Sequence, residues 1–227
     1  MTADAMVSVR RLKLEAFSVR PLMPTHYQAA SESSHFAQRF GLSFRPAPST
    51  VRPGEQGHFV RRPRADDKGN VPRQRFEVAP GRWGLIPLFS KDGQDPDTFE
   101  ARSETAAAER NFYQPWKRGH RCVILAGAIF QPAEGAGAQV RVSRSDGEPL
   151  ALAGLWNGWR SPAGDCVESF ALLTFGAPGR PELRRAVILR DAWIDDWLHC
   201  PVEETAAYLR PYADDKLVRQ ALPGNES

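Results

Sequence analysis

The residues best suited to chemistry sit in one stretch: Arg82-Trp83-Gly84-Leu85-Ile86-Pro87 and, past a polar loop, Phe99-Glu100-Ala101-Arg102-Ser103-Glu104-Thr105. Arg82 and Arg102 carry planar guanidinium forks that match phosphate oxygens. Trp83 adds a ring that can stack on a base. Stacking beside cations is the chemistry of single-stranded nucleic-acid binding. The same Trp83 also reads as core, and Arg102 also reads as a bridge to Glu100 or Glu104. Other chemistries find no support. His35, His58, His120 and His199 share no metal-ligand spacing with one another or with the cysteines, so no metal is expected. Ser103 and Ser169 lack a matched His/Asp arrangement, and Gly135 and Gly137 lack the Lys-Ser/Thr of a phosphate loop.

These groups need a scaffold, and hydrophobic periodicity supplies one. Residues 121–130 form a continuous apolar run of strand character, buried on both faces. After a glycine-rich hairpin loop at 133–138, residues 139–144 alternate as the returning strand. Further strands are expected at 150–159, 169–174 and 186–189, and at 56–64 and 73–79 around a turn at 66–70. The two prolines of 44–48 give an extended segment. A helix over 31–40 closes at Gly41, and a second is expected over 103–116, with Pro115 ending or kinking it. Trp193 and Trp197 lie four apart on a short amphipathic helix at 191–198, and a last helix spans 202–209. Trp156, Trp159, Trp193 and Trp197 read as core. The sum is one β-rich α+β domain.

Composition agrees with a globular protein: 227 residues, 41% hydrophobic and 25% charged, give enough chain to bury a core and no reason for a membrane partner. The net charge of +3 is unevenly spread. Residues 1–90 hold fourteen Arg or Lys against seven Asp or Glu, and the rest hold sixteen against twenty. The basic part is either a phosphate-facing surface or the trace of an Arg-rich composition. Three cysteines without paired spacing, Cys122, Cys166 and Cys200, argue for a reducing compartment, and no secretory signal is present, so a cytoplasmic location is expected.

In order and spacing, the pieces at 82–87, 101–105, 147–156, 170–174 and 209–212 resemble the SOS response-associated peptidase family. The resemblance runs over 23–212, leaving an extension at 1–22 and a polar tail at 213–227. It implies a single domain with a strongly curved, barrel-like mixed sheet and a few peripheral helices, monomeric and without cofactor. It also implies a groove for single-stranded or damaged DNA. In the family, removal of the initiator Met exposes a Cys whose amine and thiol trap the aldehyde of an abasic site. An Asn, a Glu and a His support that chemistry, and an Arg holds the DNA phosphate.

This chain departs from the pattern at the reactive positions. Pro24, in Met23-Pro24-Thr25-His26-Tyr27, takes the place of the Cys, Glu100 that of the Asn, Gln131 that of the Glu, and Glu182 that of the His. Arg102 is kept, Arg184 or Arg185 retains a second cation, and His26 stands where a phosphate contact is expected. The resemblance with these departures implies a protein that binds single-stranded or abasic-site DNA through Arg82, Trp83, Arg102, His26, Arg184 and Arg185, without thiol cross-linking or self-processing. Two alternatives stay open. One is an abasic-site enzyme using Pro24 as a terminal amine, if the chain starts at Met23, or the Glu100 and Glu182 carboxylates. The other is a protein-interaction scaffold whose extension covers the groove.

Overall fold

The computed structural model of the protein describes residues 24–30, 38, 40–41, 49–65, 69–70, 73–95, 97–132, 139–177 and 179–222. The first half contributes β1 (His26–Ala29), β2 (Thr50–Val51), β3 (Gln56–Arg61), β4 (Glu77–Trp83), β5 (Glu100–Arg102) and the short helix α1 (Tyr113–Lys117). The second contributes β6 (Arg121–Pro132), β7 (Gln139–Arg144), β8 (Leu150–Arg160), β9 (Cys166–Ala177), β10 (Arg180–Ala186), β11 (Ile188–Leu189), helix α2 (Ile194–His199) and β12 (Leu217–Leu222).

Strand alternation sends the side chains of the central strands to two different cores. Along β6, Cys122, Ile124 and Ala126 face one cluster while Val123 and Leu125 face the other. The first cluster takes Phe59 from β3, Trp83 from β4, Leu152 from β8 and Phe170 from β9, and so fills the inside of the sheet. The second includes Ile194, Trp197 and Leu198 of α2 and Phe112, which cover the outside. This two-sided burial is why 122–130 and 150–156 are apolar at every position.

The sheet closes on itself. β8 pairs antiparallel with both β6 and β9, β9 runs parallel to β4, β4 pairs with β3, and β3 returns to β6 where Val60 faces Val123. The result is a closed five-strand mixed barrel. Closure crowds its seams. A Cβ added to Gly154 would lie 2.6 Å from the Ala171 carbonyl, 2.7 Å from Ile124 Cδ1 and 2.9 Å from Cys122 Sγ.

Three sequence expectations are corrected. Residues 103–112 form successive turns rather than a helix, and helix appears only in α1, with Pro115 in its first turn, where the missing N–H costs nothing. The amide of Ser103 bonds to the Thr174 carbonyl, so the chain leaving β5 is held to the sheet. The expected helix at 202–209 is a 3-10 segment, Val202–Tyr208. Within the expected polar tail, β12 pairs with β7 from Leu217 opposite Arg144 to Leu222 opposite Gln139. The extension at 1–22, most of the helix expected at 31–40, the segment 44–48, part of the turn at 66–70 and the loop at 133–138 lie outside the described residues.

Candidate functional site

Chain direction and alternation set the site. β5 runs parallel to β9, with Glu100 opposite Leu172 and Arg102 opposite Thr174. Ala101 is fully buried in the outer core, so Glu100 and Arg102 share the opposite face. The amide of Thr25 bonds to the Phe130 carbonyl at 2.8 Å, which carries Pro24 to the end of β6. Pro24, Pro132, Phe99, Glu100 and Arg102 thus wall one cavity of about 780 Å³.

Three carboxylates line this cavity, Asp97, Glu100 and Glu109, and Glu100 alone meets a cation among the described residues. Glu100 accepts hydrogen bonds from Thr174 Oγ1 and from Arg184 Nε, the latter at 3.2 Å. Glu109, also in the wall, accepts one from Thr105 Oγ1. Arg102 is exposed and has no partner among the described residues. It is the cation of the described cavity wall that is free to meet a ligand.

Behind the wall, Arg184 holds a compact network. It is 5% exposed and grips Glu104 through Nη1 at 3.1 Å and Nη2 at 2.8 Å, besides Glu100 and Thr174. Burial would raise the Glu104 pKa. The hydrogen bonds from Arg184 and the Gly176 amide, with the Arg184 charge, outweigh it and hold the carboxyl down to about 2.

The structure separates residues that the sequence grouped together. Trp83 is 1% exposed and donates Nε1 to the Phe99 carbonyl at 2.9 Å, so it is core and not an exposed stacking ring. Arg82 donates to the Gly93 carbonyl at 2.6 Å and braces the polar loop, away from the cavity. The whole 82–87 run is a structural clamp. Gly84 has φ +136°, and Ile86 is fixed through its amide to Ser169 Oγ and through its carbonyl to Asn157 Nδ2, both at 2.8 Å.

The remaining candidates are placed as follows. Arg184 is buried in its ion pairs, whereas Arg185 is exposed. His26 stacks on Phe130 with ring centres 4.1 Å apart. Burial and then the Arg52 charge lower the His26 pKa, which weakens it as a phosphate contact. Gln131 is half-buried opposite Val140, and Pro132 rather than Gln131 lines the cavity. Glu182 lies where the pairing of β10 with β9 lapses, between Arg180 and Arg184, and its side chain is outside the described part.

Sequence reasoning missed Asp97, Glu109 and Asn111, which also line the cavity. Asp97 has φ +56°, the left-handed conformation that Asp adopts more readily than most residues. A signal existed in the polar Asp95-Pro96-Asp97 segment just ahead of Glu100, which reads simply as loop.

Comparisons with known proteins place this geometry. The family model described as SOS response associated peptidase (SRAP) matches residues 23–223. The chain is 27% identical over 130 residues to the abasic site processing protein HMCES of Mus musculus, covering 43% of this chain and 36% of that protein. It is 30% identical over 148 residues to the abasic site processing protein YoqW of Bacillus subtilis, covering 59% and 64%. The matched stretch thus spans about a third of the mouse protein and under two thirds of the Bacillus one. A crystal structure of a Bordetella bronchiseptica protein superposes with a TM-score of 0.77 at 32% identity, covering 88% of this chain and 99% of that one.

Proposed function

Since this chain belongs to the SOS response associated peptidase family, we propose that it binds single-stranded DNA carrying abasic sites, in a DNA-damage context, without forming the thiol cross-link. One observation carries the reading: Pro24, and no thiol, stands in the cavity wall with Glu100 and Arg102. Cys122 and Cys200 are buried elsewhere, and exposed Cys166 begins β9 away from the cavity. With Glu100 paired to Arg184, the exposed Arg102 fork is left to grip a phosphodiester beside the lesion. Prolines and phenylalanine rings offer an apolar recess to a sugar that lacks its base.

The test is full-length protein with a single-stranded oligonucleotide bearing one abasic site, run on native and denaturing gels. A native shift weakened roughly tenfold by Arg102→Ala, with no adduct after denaturation, is the expected result. An adduct that survives denaturation without borohydride overturns the reading.

The place of Pro24 in the wall favours a second reading. If processing exposes Pro24 as the terminal residue, its secondary amine adds to the sugar aldehyde, water leaves, and an iminium forms. An adduct seen only after borohydride reduction, in protein whose intact mass begins at Pro24, would establish it.

A further inference from the structure

At the opposite mouth of the barrel, where β6 begins and β8 ends, lies a second cavity of about 680 Å³. Arg121, at the start of β6, lines this cavity, whereas Pro132, at its end, lines the first, and no residue lines both. Arg62 and Arg64 reach this cavity from just past β3, Arg75 from ahead of β4, and Arg118 from behind α1, with His120 and Trp156 in the same wall.

Like charges drawn together from three parts of the chain repel, and the ion pairs offset only some of them. Arg64 meets Glu168 at 3.2 Å, and Arg75 pairs with Asp195, which also faces His199 at 3.3 Å. Arg62 and Arg118 are exposed and have no counter-ion among the described residues. The indole of Trp156 is already occupied: His120 lies flat on it with ring centres 4.4 Å apart, and the Arg61 and Arg64 guanidiniums sit 4.4 and 4.5 Å from it. The wall therefore offers charge and no free ring for a base. Burial, followed by the charges of Arg118, Arg64, Arg61 and Arg62, pushes the His120 pKa down to about 4. An anion among these arginines would relieve that repulsion and let the imidazole titrate higher.

We infer that this cavity binds phosphodiester groups of a nucleic-acid strand, with Arg62 and Arg118 making the contacts. The site is separate from the Pro24–Arg102 cavity. It rests on the reading of the previous subsection only for the choice of DNA over another phosphate-bearing ligand.

The experiment compares full-length protein with the double variant Arg62→Gln/Arg118→Gln on an undamaged single-stranded oligonucleotide, over a range of salt. Both side chains are exposed, so the urea midpoint should not move. Affinity should fall roughly tenfold or more, and the log–log salt slope should become shallower by about 1.4, for two contacts on a single strand. In wild type the oligonucleotide should raise the NMR titration midpoint of His120, identified by its loss in His120→Asn, and in the double variant it should not. Unchanged affinity and slope overturn the inference. A His120 midpoint that responds to inorganic phosphate and not to the oligonucleotide overturns the nucleic-acid assignment. Failure of the abasic-site reading would look different: equal binding of abasic and undamaged strands, with the effect of Arg62 and Arg118 intact.

Discussion

Arg184 shows how a residue that reads as a DNA contact can be a structural centre instead. Its guanidinium is buried against Glu100 and Thr174 and reaches the half-exposed Glu104. Arg184→Ala leaves Glu100 charged and unpaired in a buried position, which should cost about 3 kcal/mol in urea unfolding. Arg184→Lys should recover only part of it, because one ammonium cannot serve both carboxylates. Glu104 gives the same network a pH signature. Its folded pKa lies below the ordinary value of 4.5, so the stabilisation is complete above that value and is lost as pH falls toward about 2. Glu104→Gln should flatten this part of the acid limb, read as denaturation midpoints from pH 5 downward. Neither role is legible in the sequence, where Arg184 lies some eighty residues beyond Glu100 and Glu104 and only the pairing of both β5 and β10 with β9 joins them.

Among elements, what the sequence revealed followed burial. β6 and β8 were legible because both of their faces meet core along most of their length, so most positions are apolar. The strand β12 was not, because four of its six side chains are exposed and its pairing with β7 is mostly backbone. Residues 103–112 misled for the opposite reason: alanines favour a helix, but Ala106 and Phe112 are buried by turns that follow the sheet. Trp83 was ambiguous because a ring beside Gly84 suits an open surface and a crowded turn equally, and only the Phe99 carbonyl that receives its N–H decides. Two predictions belong here. Gly154→Ala, at the seam of β6, β8 and β9, should destabilise by about 2–3 kcal/mol, since the Ala171 carbonyl is backbone and cannot rotate away, and Ile124 and Cys122 are both fully buried. Removing residues 217–227 should leave the fold standing but expose the edge of β7, measured as self-association in light scattering with far-UV circular dichroism retained.

For the molecule as a whole, closure couples the two cores, because the same strands feed both. Trp83 and Trp156 report on the inner cluster and Trp197 on the outer one. Their fluorescence and the backbone circular dichroism should therefore follow one coincident transition in urea, and separate midpoints would show that the clusters open independently. The two cavities divide the surface chemistry in the same way, one holding a single unpaired guanidinium and the other two, Arg62 and Arg118, among the described residues. The cysteines add a consequence of their own. Cys166 is exposed, whereas Cys122 is 0% accessible on the central strand, and burial raises its pKa well above the ordinary thiol value. A thiol reagent should modify Cys166 at once and reach Cys122 only when the barrel opens. The lag between those two events is a clock carried by the native chain itself, able to time the opening of the barrel without any added probe.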